Sequence, residues 1–130
     1  MIEIKKVHQF LVFSVNSLAQ ACISDYLKVI KVESLGDFYK IKRDFFREKM
    51  KSSRFELFPS DGTYFQIASY KSISSESDLD FSKRLIIEFG VAAIPLSVFN
   101  VNQDDQKLIR FCFAKDEQTL ISATERLCKI

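Results

Sequence analysis

The sequence predicts an α+β fold, and three observations carry that expectation. Residues 54–130 run strand, strand, helix, strand, strand, helix, an order that lays helices against one layer of strands. Thirteen Phe and four Tyr, with no Trp, supply enough aromatic carbon to fill a core. Only three Gly and two Pro occur in 130 residues, so long disordered linkers are not expected. With 47% apolar and 28% charged residues the composition is that of a globular chain about one domain long.

Each element follows from local pattern. Residues 1–31 read as helical, with Val7, Phe10, Leu11, Leu18, Cys22, Tyr26 and Val29 at helical spacing. Ser14, Asn16 and Ser17 interrupt the run, so a break and a second helix from near Ser17 are expected. Phe10–Val15 is apolar almost all round, and a helix of that kind must pack on something. Little lies upstream to serve, which leads to the expectation that the natural protein continues towards the N-terminus.

A third helix is expected from Ser34 to about Ser52, with Ser34 and Asp37 as a weak capping box. Phe38, Ile41 and Phe45 form one stripe and Tyr39, Phe46 and Met50 the next. Residues 54–70 read as two strands joined by the turn Pro59-Ser60-Asp61-Gly62. Ser77 or Asp78 caps a helix over Leu79–Phe89 that Gly90 ends, with Phe81, Leu85, Ile86 and Phe89 inward. A short strand over Val91–Ile94 leads into Pro95, and Asn100–Gln106 is a polar loop. Lys107–Ala114 is the clearest strand. Asp116 caps a last helix with Leu120, Ala123, Thr124 and Leu127 on one face.

Composition excludes several functions. A net charge of +2 is too small to imply a nucleic-acid or membrane partner. Cys22, Cys112 and Cys128 form no CxxC pair, and with the single His8 they make no zinc set. They read as free thiols of a reducing compartment. No signal peptide is visible, and no stretch approaches the ~20 apolar residues of a membrane span. The expected location is the cytoplasm. Dinucleotide and phosphate-loop glycine motifs, a metalloprotease HExxH and a nucleophile elbow are all absent. His8 reads as a structural or surface residue.

Arg110 is more informative. Ile109, Phe111 and Phe113 share one face of its strand, and Leu108, Arg110 and Cys112 the other. A guanidinium among apolar neighbours needs a partner or water. Two readings stand at this level: an arginine on a solvated sheet face, or one waiting to grip a carboxylate or phosphate with two parallel hydrogen bonds. Residues 37–54 hold seven basic and three acidic side chains. A solvated helix face with local pairs such as Asp44–Arg47 explains them better than an RNA-binding patch.

Five segments carry a resemblance. They are Val7-His8-Gln9-Phe10-Leu11-Val12-Phe13-Ser14-Val15-Asn16; Asp37-Phe38-Tyr39 with Lys42-Arg43-Asp44; Gly62-Thr63-Tyr64-Phe65; Val91-Ala92-Ala93-Ile94-Pro95-Leu96-Ser97-Val98-Phe99; and Leu108-Ile109-Arg110-Phe111-Cys112-Phe113-Ala114-Lys115. In this order and near this spacing the chain resembles the C-terminal portion of a class I/II pyridoxal-phosphate-dependent aminotransferase of fold type I. The likeness is to the methionine and kynurenine aminotransferase group. Leu18 stands where many members have proline, Gly36 stands where the members most like this chain tend to have it, and the segment between Tyr26 and Asp37 looks slightly shortened.

The resemblance implies a layout. Residues 1–33 would be the helical end of a large cofactor domain, 34–53 a linking helix, and 54–130 the small domain that closes on substrate. The reaction implied is amino-group transfer between a methionine-type or aromatic amino acid and a 2-oxo acid, with the carbanion chemistry supplied by the cofactor. Arg110 would bind the substrate α-carboxylate. Phe13 and Ser14 would approach the active site of the partner subunit across a homodimer. The Schiff-base lysine and the groups holding pyridoxal 5'-phosphate would precede Met1. No catalytic residue, cofactor or metal site is therefore expected in this chain, and the chain alone is expected to be inactive. The alternatives are a non-catalytic binding or interaction module derived from that domain and, more weakly, a small basic RNA-binding protein.

Overall fold

The computed structural model describes all residues, 1–130. The chain divides into two compact units, Met1–Leu35 and Gly36–Ile130.

The first unit is helical. Helix α1 spans Ile2–Val12 and α2 spans Ser17–Leu27, bent by 97° at the break between them. The break falls where the polar residues predicted it. Asn16 caps α2, its side-chain oxygen accepting from the Ala19 N–H at 2.9 Å. Neither helix buries a residue. Phe10, Leu11 and Phe13 are 80%, 80% and 91% exposed, so the apolar run that demanded a packing partner finds none within this unit. No single helix is long and apolar enough to cross a membrane.

The second unit is a four-stranded antiparallel sheet covered by helices. Helix α3 (Leu35–Lys49) precedes β1 (Glu56–Leu57) and β2 (Phe65–Ser69). Helix α4 (Asp78–Phe89), β3 (Ile94–Pro95), β4 (Leu108–Cys112) and α5 (Glu117–Leu127) follow. The sheet order is β1-β2-β4-β3, so β4 is inserted between earlier elements. Its alternation is as the sequence predicts: Ile109, Phe111 and Phe113 are buried, Leu108 and Arg110 half-buried and Cys112 exposed.

The core joins the three helices to the inner sheet face. Phe46 and Met50 enter it from α3 and its end, Phe81 and Leu85 from α4, Leu120 and Leu127 from α5. Tyr70 stacks nearly parallel on Phe81 with ring centroids 4.1 Å apart, a contact that adds to the burial term. Caps hold the helix ends. Ser77 accepts from the Asp80 N–H and Asp116 from the Thr119 N–H. Gly90 takes the left-handed C-terminal position, φ 63°. A side chain there would meet the Arg126 guanidinium at 2.7 Å.

Several local expectations need correction. Ser34 makes no capping box. It closes a 3₁₀ turn over Val32–Ser34, its hydroxyl donating back to the Lys31 carbonyl. Helix α3 ends at Lys49, short of Ser52, because Met50–Ser53 tighten into turns. Ile86 is 53% exposed, since α4 turns only Phe81, Ser82 and Leu85 fully inward beside Asp78. Asp44 pairs with its neighbour Arg43 at 2.7 Å, not with Arg47. Arg47 instead reaches the buried Gln66 side chain and the Phe58 carbonyl, both at 2.8 Å. The third strand starts late, at Ile94, because Val91 and Ala93 are drawn into the core.

Candidate functional site

Arg110 sits in the middle of β4, where strands on both sides fix its backbone. Its register partners are Ile67 on β2 and Ile94 on β3. Phe65 pairs with Cys112, so it stands diagonally from Arg110 on the same sheet face, within reach of a long side chain. The guanidinium carbon lies 4.4 Å from the Phe65 ring centroid and 5.3 Å from that of Phe99. Phe99 comes from a 3₁₀ turn over Ser97–Phe99 just after β3.

The other five arginines each find a protein oxygen. Arg43 and Arg84 pair with Asp44 and Glu76 at 2.7 Å. Arg47 bonds Gln66, and Arg54 and Arg126 reach the carbonyls of Ser72 and Phe89. Arg110 meets aromatic faces only. Rings hold a guanidinium by its π-face and leave its edge donors unused. Beside it opens a pocket of about 540 Å³ lined by Tyr64, Phe65, Val91, Ile94 and Leu120 among others. The Arg110 donors on a largely apolar wall, with Lys115 and Thr119 as further polar lining, suit a ligand with a carboxylate at one end and an apolar body at the other.

A polar network ties the start of α4 to the entry of β4. Burial raises the Tyr70 phenol far above its ordinary range, aided by Asp105, Asp78, Glu76 and Asp80. Its hydroxyl donates to the Glu76 carbonyl at 3.0 Å. Burial also raises the Asp105 carboxyl, but hydrogen bonds from the side chain and backbone of Lys107 outweigh it and hold Asp105 below the usual carboxylate value. A hydrogen bond from Arg84, joined by one from Ser74, lowers Glu76.

Phe13 and Ser14 belong to the first unit and Arg110 to the second. Phe13 is the residue after α1, with φ 56° and its ring 91% exposed. A positive φ at a phenylalanine costs of order 1–3 kcal/mol and is a common feature of functional segments. Ser14 is exposed beside it. His8 is exposed on α1. The side chains that hold Arg110, Phe65 and Phe99, were not singled out in sequence. Their only signal was inclusion in the segments Gly62–Phe65 and Val91–Phe99, because register is invisible before the sheet is built.

The sequence profile of the family "aminotransferase class I and II" matches residues 4–127. The chain belongs to the class I and II aminotransferases. It is 48% identical over 127 residues to the methionine aminotransferase of Escherichia coli, covering 96% of this chain and 33% of that protein. The crystal structure of YbdL from Escherichia coli, described as having a methionine aminotransferase function, superposes with a TM-score of 0.86 at 47% identity, over 99% of this chain and 34% of that one. The N-succinyldiaminopimelate aminotransferase of Mycobacterium tuberculosis superposes with a TM-score of 0.79 at 28% identity, over 93% and 32% of the two chains. The chain thus spans about a third of the length of the relatives it matches. The α+β architecture read from the sequence is the aminotransferase fold.

Aminotransferases use pyridoxal phosphate, which needs a free, desolvated lysine amine and a phosphate cradle. The residues present do not fit it. Lys42 and Lys107 are the half-buried lysines, and both are tied to protein acceptors: Lys42 to the Lys115 carbonyl at 2.6 Å, Lys107 to Asp105 and the Glu76 carbonyl. Every other lysine is exposed, including Lys115 in the pocket lining.

Proposed function

We propose that this chain is the substrate-closing part of a pyridoxal-phosphate-dependent aminotransferase, and that Arg110 anchors the substrate α-carboxylate. The observation that supports this reading is the guanidinium of Arg110, held between Phe65 and Phe99 with no protein oxygen on its edge. A carboxylate bound there accepts two coplanar hydrogen bonds while its side chain enters the apolar pocket. The pocket lining suits a methionine-type or aromatic amino acid, and the likeness to the methionine aminotransferase of Escherichia coli favours the same class.

In this reading residues 1–33 close a large cofactor domain, 34–53 link it, and 54–130 move with substrate. The cofactor and its lysine come from the rest of the enzyme, so the chain alone is inactive. Phe13 and Ser14 serve the active site of the partner subunit in a homodimer, which accounts for a strained phenylalanine held out of any core. The three free thiols agree with a cytoplasmic enzyme. The test is amino-acid binding and thermal stability of Arg110→Lys in the chain completed by a lysine-bearing large domain. Unchanged affinity, or a dominant loss of stability, would make Arg110 a structural arginine.

A further inference from the structure

Phe99 presents a puzzle of support. Its ring faces the Arg110 guanidinium at 5.3 Å, yet the residue is 62% exposed, so core packing does not hold it there. Its place is set by the backbone of the 3₁₀ turn Ser97–Phe99. That turn is pinned from one side. The Asp78 carboxylate, 1% exposed at the start of α4, accepts from the Ser97 N–H and from the Ser97 hydroxyl, each at 2.7 Å. Ser97 is itself 5% exposed. The Asp78 N–H is in turn held by Asp105 at 3.2 Å, and Asp105 also accepts from Lys107 just before β4. The chain Asp105–Asp78–Ser97 therefore ties together the entry to β4, the start of α4 and the turn that carries Phe99.

A buried carboxylate is an expensive way to hold a turn. An apolar pair of the same volume commonly gives equal or greater stability, whereas a two-bond carboxylate fixes direction. We propose that Asp78 is a positioning residue: through Ser97 it fixes the turn bearing Phe99, and so fixes the plane in which Arg110 offers its donors to a carboxylate. The inference rests on the carboxylate reading of Arg110. Asp78 and Ser97 touch no ligand in this scheme. Their effect on binding passes through Phe99 alone.

The test uses the 130-residue chain and propionate as a simple carboxylate probe. Nuclear magnetic resonance of the Arg110 Nε–H reports the ring currents of its aromatic neighbours, and a propionate titration followed at the same signal reports binding. Ser97→Ala removes one of the two bonds to Asp78 with little change of volume. Phe99→Leu removes the ring directly. Leu57→Ala, on β1 at the opposite edge of the sheet, controls for loss of stability. The expected result is that Ser97→Ala moves the Arg110 signal towards its position in Phe99→Leu and weakens propionate about threefold to tenfold, while Leu57→Ala does neither. Asp78→Asn, which keeps one acceptor, should give the same shift in direction if it folds. If Ser97→Ala lowers the melting temperature but leaves the signal and the titration as in the wild type, the latch is structural only and the proposal is overturned. If the signal moves but propionate fails to bind even the wild type, the carboxylate reading of Arg110 is what falls.

Discussion

Arg110 and Phe65 lie diagonally across adjacent strands, with the guanidinium carbon 4.4 Å from the ring centre. The ring holds the cation by its face and leaves its edge free. Arg110→Lys keeps the charge but replaces a planar fork with a single mobile ammonium. In the completed enzyme it should raise the apparent substrate constant about tenfold to a hundredfold, the scale of one charge-assisted hydrogen bond, ~1.5–3 kcal/mol. The melting temperature should change little, because Arg110 has no carboxylate partner to leave unpaired. Binding titration and calorimetry on the same sample separate the two outcomes.

Treatment of the chain with pyridoxal phosphate and borohydride should label exposed lysines diffusely. Lys42 and Lys107 are engaged by protein acceptors, and the other lysines, Lys115 at the pocket among them, are exposed. Peptide mapping checks this. One stoichiometric site, with measurable transamination, would show a cofactor site in this chain.

The isolated chain should self-associate. Phe10, Leu11 and Phe13 are almost fully exposed on the first unit, together with Val7, Val12 and Val15. An apolar patch of this kind usually marks an interface. Burying four or five such side chains is worth about 6–12 kcal/mol before the costs of association. Light scattering at micromolar concentration should show more than a monomer, and Phe10→Ser with Leu11→Ser should reduce it. A clean monomer in the wild type would contradict the reading of this face.

Acid should destabilise the second unit through its depressed carboxylates. Asp105, Glu76, Asp80 and Asp116 all titrate below their ordinary values in the folded chain. Each is charged and held at neutral pH, and its contribution is complete above the unfolded value near 4. The melting temperature should be flat from pH 7 to about 5 and then fall as these groups protonate. Asp105→Asn should lower the plateau and soften the fall. A melting temperature independent of pH between about 5 and 3 would show that these bonds carry no net stability.

Much of the second unit was legible in sequence because its signals are local. Ser77, Gly90 and Asp116 mark helix ends by backbone chemistry that needs no tertiary context. The alternation around Arg110 fixed its face for the same reason. The failures are tertiary. Ile86 fits a helical stripe but lies past the edge of the core. Arg47 had two acceptors to choose from, and only the fold shows that the buried Gln66 wins over Asp44. The aromatic clamp required the pairing of Phe65 with Cys112, a matter of register between segments remote in the chain.

The place of β4 in the sheet has a bearing on how the chain acquires its structure during synthesis. The strand that bonds to both β2 and β3 is the last of the four to leave the ribosome. Until it arrives, β2 has only the two-residue β1 beside it, and β3 has no neighbour at all. Closing β4 onto β2 joins residues on the order of forty apart, an entropic cost met before the pairing rewards it. Nascent chains therefore pass through a stage with bare strand edges and uncovered phenylalanines, when capture by a chaperone or by another nascent chain competes with folding. Arg110 enters the sheet in that same late step, so no ligand-competent intermediate precedes the folded unit.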